Sequence, residues 1–245
     1  MSDMGDLRRT LLPVAAGALA LSLSGCSTIS DQLAGSEVDP TATSAAASAG
    51  SLLETVSWAE LDGLVSVVVS NPTERVLRRA DAVITLRDSR GTALASSVTR
   101  MREDGCCTVR SLRPGGTYGL YVGTVDEGAE VADVEVTYRD VSWSSAPLPE
   151  VGAEPVRIEE GPRGSVVLAD VTAEEAVPSA VVQAVVTDPD GGLVAVVSGT
   201  WTCFAAGDTR RIFMQLFRRV PQGSLVESVS VHPDGAAPSE CADGS

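Results

Sequence analysis

The chain has 245 residues and a net charge of −15, and all 18 of its basic residues are arginine. That balance excludes nucleic acid as a partner, because binding there needs a basic footprint to displace phosphate counterions. An apolar content of 44% excludes wholesale disorder, while aromatics at 4% and abundant Val, Ala, Thr and Gly favour strands over helices.

Residues 1–25 have the three zones of a signal peptide: Arg8-Arg9, an apolar run from Leu11 to Leu23, and small residues before Cys26. The run is short for a membrane span, which needs ~20 residues. The sequence Leu23-Ser24-Gly25-Cys26 resembles the bacterial lipobox, Leu-Ser/Ala-Gly/Ala-Cys. That resemblance implies a diacylglyceryl group on the Cys26 thiol and cleavage just before it. It places the protein at the cell membrane, lipid-anchored on the extracytoplasmic face. Two or more acyl chains suffice for stable membrane residence. The Arg pair fits ordinary secretory export; it also resembles a twin-arginine signal, although Leu7 stands where Ser or Thr is usual.

Residues 26–53 are rich in Ser, Ala, Thr and Gly without apolar periodicity, and read as a flexible tether spanning about 25–30 Å. Beyond it the chain repeats weakly at a period near 100 residues. With Asp88 set against Asp188, the alternating Ala80, Ala82, Ile84 and Leu86 fall on Ala180, Val182, Ala184 and Val186. Asp88-Ser-Arg-Gly91 and Asp188-Pro-Asp-Gly191 then supply turns, and strands return over 92–98 and 193–198. Earlier strands are expected at 64–69 and 165–169, and later ones at 120–122 and 212–214. Each repeat closes on alternating valines, Val134 with Val136 and Val229 with Val231. These patterns predict an all-β fold of two tandem antiparallel Ig-like β-sandwiches over 54–145 and 155–233, joined by a linker at 146–154 and followed by a tail at 234–245.

Asn71-Pro72, Ile84-Thr85-Leu86-Arg87-Asp88 and Leu112-Arg113-Pro114-Gly115 resemble the FxLYD domain, an Ig-like module of bacterial envelope proteins. In the second repeat only Ala184, Val186 and Asp188 keep the pattern. The resemblance implies a fold and an extracytoplasmic setting, and it carries over no catalytic residue.

Cys106, Cys107, Cys203 and Cys241 remain after lipidation. In an oxidising compartment four cysteines favour two bridges, with three connectivities open. A Cys203–Cys241 bridge would pin the tail, stabilising by ~3–4 kcal/mol on the chain-entropy model. The matching Cys106–Cys107 bridge is strained, since adjacent Cα atoms lie closer than a disulfide prefers. Such strain permits a redox-switch reading; the plainer alternative is that one of the pair reaches a cysteine of the other repeat.

The segment Arg210-Arg211-Ile212-Phe213-Met214-Gln215-Leu216-Phe217-Arg218-Arg219 is the strongly basic stretch of an acidic chain. As a strand it sets Ile212, Met214 and Leu216 on one face, with Phe213 and Phe217 on the other. The aromatics then serve either an inter-repeat contact or a partner site. A basic amphipathic helix suited to anionic lipid is the other reading.

No enzyme is expected. Gly-x-Ser-x-Gly is absent, phosphate loops lack their Lys, and His232 sits in a His-Pro-Asp stretch that reads as a solvated turn. Asp188-Pro-Asp190-Gly191 is a hairpin turn rather than a calcium loop, and neither a metal nor another cofactor is expected. The sequence thus predicts a lipid-anchored extracytoplasmic envelope protein that works as a structural or protein-interaction module with an envelope protein as its partner. The alternatives are a solute-, glycan- or metal-binding accessory lipoprotein of a transporter or cell-wall enzyme, and a small extracytoplasmic enzyme.

Overall fold

A computed structural model describes residues 52–97, 107–123 and 130–234. The signal peptide, Cys26, the tether, Cys106, Cys241 and the tail beyond 234 lie outside the described residues.

The described chain is all-β, in four antiparallel sheets that form two sandwiches. In the first sandwich, β1 (Glu54–Leu61), β2 (Leu64–Ser70) and β6 (Thr117–Gly123) make one sheet in the order β1-β2-β6. The facing sheet is centred on β3 (Val76–Arg87). It pairs along its length with β7 (Asp133–Ser144), near its start with β5 (Thr108–Leu112), and at its end with β4 (Ala93–Ser96). The second sandwich repeats the plan. Its sheets are β8 (Val151–Gly161), β9 (Gly164–Ala173) and β12 (Thr209–Gln215) in the order β12-β9-β8, and β10 (Val177–Thr187), β11 (Leu193–Phe204) and β13 (Leu225–Pro233) in the order β11-β10-β13.

Period-two alternation builds both cores. Val65, Val67 and Val69 of β2 pack with Ala80, Ala82, Ile84 and Leu86 of β3 in the first. Val167, Ala169 and Val171 of β9 pack with Ala180, Val182, Ala184 and Val186 of β10 in the second. The strands carrying Asp88 and Asp188 therefore hold equivalent central places in separate sheets. Their turns are also alike. The Asp88 Oδ1 accepts from the N–H groups of Arg90 and Thr92, and the Asp188 Oδ1 from those of Asp190 and Gly192, all at 2.8–2.9 Å. Gly91 and Gly191 supply the left-handed residue at φ 78° and 85°.

The sequence missed three strands: the short β5, whose Thr108, Arg110 and Ser111 leave little apolar pattern, and the longer β1 and β8. β1 and β8 are sheet edges, where half-exposed polar residues dilute the apolar alternation. Because β8 begins at Val151, the connection between sandwiches is shorter than the expected 146–154 linker.

Asn71 organises the first β2–β3 turn. Fully buried, it donates from Nδ2 to the Arg75, Leu112 and Arg113 carbonyls, and its Oδ1 accepts from the Thr73 N–H and hydroxyl. It ties Asn71-Pro72 to the 112–115 turn, a structural role.

Candidate functional site

The two sandwiches meet sheet on sheet, and this contact frames every concave feature between them. The β2 residues Ser66 and Val68 point away from the first core yet are buried. They face β10 and β11, where Gln183 and Val196 are buried in turn. A run apolar on both faces is what two-sided burial demands. Gly119 on β6, an edge strand, turns its backbone toward Gln183. Its N–H donates to the Gln183 Oε1 at 2.8 Å, and its carbonyl accepts from Nε2 at 2.7 Å. The side-chain amide thus pairs the edge residue as a neighbouring strand would. The Val196 N–H donates to the Ser66 hydroxyl at 3.0 Å. The approach is so close that a Cβ on Gly119 would lie 2.2 Å from the Val196 Cγ1, so only glycine fits. Arg110 and Asp234 pair across the same contact at 2.8 Å.

His232 belongs to this contact rather than to a solvated turn. It ends β13 with 4% of its surface exposed, its ring 4.5 Å from that of Tyr118 and its Nε2 3.0 Å from the Ser230 hydroxyl. Burial lowers its pKa to about 4, against a hydrogen bond to the Ser111 backbone that favours the charged form; nearby Arg113 lowers it further. At neutral pH the ring is uncharged. Burial likewise raises the Tyr118 phenol, whose hydroxyl donates to the Thr108 carbonyl.

The basic segment is a strand, β12, as its alignment with 120–122 suggested. Ile212, Met214 and Leu216 enter the second core. Phe213 and Phe217 remain 59% and 63% exposed, so neither is buried in the inter-repeat contact; Phe217 lies past the end of β12, beside a cleft between the two sandwiches. Phe213 stands in register with buried Leu168 of β9, which is paired on its other side with Arg157 of β8. Beside it Arg211 grips Asp170 with two bonds of 2.8 and 2.7 Å, and these bonds hold the Asp170 carboxyl below its usual range. Arg210 donates to the Thr202 carbonyl and lies over the Phe204 ring. Arg218 donates from Nε to the Asp62 carbonyl of the first sandwich, while Arg219 is exposed. The open face of this outer sheet therefore carries an aromatic flanked by arginines.

Two clefts flank the locked contact. One, of about 400 Å³, lies between Leu64 and Tyr121 of the first sandwich and Val196, Leu216, Phe217 and Arg218 of the second. The other, of about 350 Å³, is polar and runs from Cys107 and Arg110 past Gln183 to Thr200 and Asp234. Its charged groups are engaged with each other. No cluster of three or more potential metal ligands occurs among the described residues. Cys107 and Cys203 are both disulfide-bonded and both have left-handed φ, 77° and 59°. The expected Cys203–Cys241 and Cys106–Cys107 bridges each involve a cysteine outside the described residues.

The chain matches no protein-family model, no curated protein and no solved structure.

Proposed function

We propose that this chain is a lipid-anchored protein-interaction module on the extracytoplasmic face of a cell membrane, held there through Cys26. The observation that carries the binding role is the open face of the β12-β9-β8 sheet. Phe213 stays exposed there beside Arg211, although Ile212 and Met214 of the same strand are committed to the core and Arg211 to an ion pair. A large exposed aromatic beside arginines on an open sheet face has the composition of an interface centre. The lipobox-like Leu23-Ser24-Gly25-Cys26 supports the anchor. The two sandwiches, locked by Gln183 and Gly119, present that face as one rigid body.

Affinity capture of the full chain from formaldehyde-crosslinked cells tests the reading. The wild type is expected to bring down a discrete partner that Phe213→Asp/Phe217→Asp, folded by circular dichroism, does not. Equal recovery with both proteins refutes this surface as the interface.

A further inference from the structure

The apolar cleft beside Phe217 has a feature that sets its occupant. Five arginines among the described residues are paired with carboxylates, namely Arg79, Arg87, Arg110, Arg157 and Arg211. Arg163, Arg218 and Arg219 have no acidic partner among the described residues, and the fold gathers them at one end of the second sandwich. The Ser165 N–H donates to the Arg218 carbonyl at 2.8 Å, and the Leu216 N–H to the Ser165 carbonyl at 2.9 Å. A Cβ on Gly164 would lie 2.4 Å from the Leu216 carbonyl oxygen. Arg163, next to Gly164, is thereby held against the segment carrying Arg218 and Arg219. In a chain of net charge −15, this gathers three arginines on neighbouring backbone at one end of the second sandwich, where Arg218 itself lines the apolar recess.

We propose, on the basis of the interaction-module reading above, that this cleft receives an apolar side chain from an extended acidic segment of the partner protein. The carboxylates flanking that side chain meet Arg163, Arg218 and Arg219. The recess, about 400 Å³, falls in the size range of ligand pockets and has walls from both sandwiches. The hydrogen bonds of Gln183 and Ser66 fix those walls relative to each other, so the recess is formed before binding and little ordering cost remains. A recess calls for a protruding group. A lipid surface offers none, and a segment of like charge to the chain would be repelled everywhere except at these arginines.

The test is panning a random-dodecapeptide phage library on the immobilised full chain. Wild type is expected to enrich peptides in which an aromatic or aliphatic residue is flanked by Asp or Glu. A synthetic copy of the enriched peptide should bind less tightly in higher salt, and about tenfold less tightly to Phe217→Ala/Arg218→Ala/Arg219→Ala. Ser198→Phe, which narrows the cleft and leaves every charge in place, should abolish binding while its urea midpoint, measured alongside, shows the Gln183 contact intact. Failure to enrich acidic apolar peptides overturns the proposal, as does undiminished binding to Ser198→Phe. Phe217-dependent binding to anionic vesicles in place of peptides overturns it too. Partner capture in cells with Phe213→Asp alone, which leaves the cleft untouched, is scored separately, so a failed cleft leaves the wider reading intact.

Discussion

Gln183→Ala removes the amide that pairs Gly119 and leaves two buried backbone groups without partners. Each such group costs about 1–3 kcal/mol. The polar cleft that borders both residues lets water reach part of the site, which places the expected loss at the lower end, about 2 kcal/mol. Urea unfolding followed by tryptophan fluorescence measures it, since Trp58 and Trp143 report the first sandwich and Trp201 the second. The wild type should unfold in one transition seen alike by all three, whereas Gln183→Ala should let the probes separate. Gly119→Ala should act similarly, by forcing Val196 away. Because both changes break one contact, the double variant should fall short of the sum. A loss below ~1 kcal/mol, or strict additivity, would refute the idea that this pair locks the sandwiches.

Three further outcomes follow. His232 has its pKa depressed from 6.5 to about 4, so the unfolded chain binds the extra proton first; stability is full above pH 6.5 and declines as pH falls toward 4, by about 3 kcal/mol in all. Denaturant midpoints across that range should show the decline in wild type and much less of it in His232→Phe. Asn71→Ala should cost about 2 kcal/mol by removing the donor to the buried Leu112 carbonyl and the acceptor of the Thr73 N–H, read as a shift in urea midpoint without a change in slope. Cys26→Ser should abolish the lipid mass increment and release the protein from membrane fractions or stall its precursor; full membrane retention of a correctly cleaved variant would exclude the anchor.

The central strands were legible in the sequence because β3 and β10 keep an apolar residue at every second position and end on Asp-x-x-Gly turns, whose chemistry is local. The outer edges β1 and β8 were not, since acidic residues interrupt their apolar pattern. The sheet-on-sheet contact was half legible. The continuous run 64–69 signals burial on both faces, but nothing local marks Gly119 as the point of closest approach, or Gln183 as its partner 64 residues away. For the same reason His232 read as solvated: the residues that bury it, Tyr118 and Ser111, belong to the other sandwich. The opposite case arose at β12. Its two apolar faces left open an inter-repeat contact or a partner site for Phe213 and Phe217, and the fold leaves both side chains more than half exposed.

Positional photo-crosslinking in intact cells tests the interaction surface most directly. A photoreactive residue replaces Phe213 or Phe217 on the second sandwich, or the exposed Val56 or Val141 on the first, in the otherwise unaltered chain. The account predicts one discrete crosslinked product at 213 and 217 and none at 56 and 141. Crosslinks at 56 or 141 with silence at 213 and 217 would contradict it.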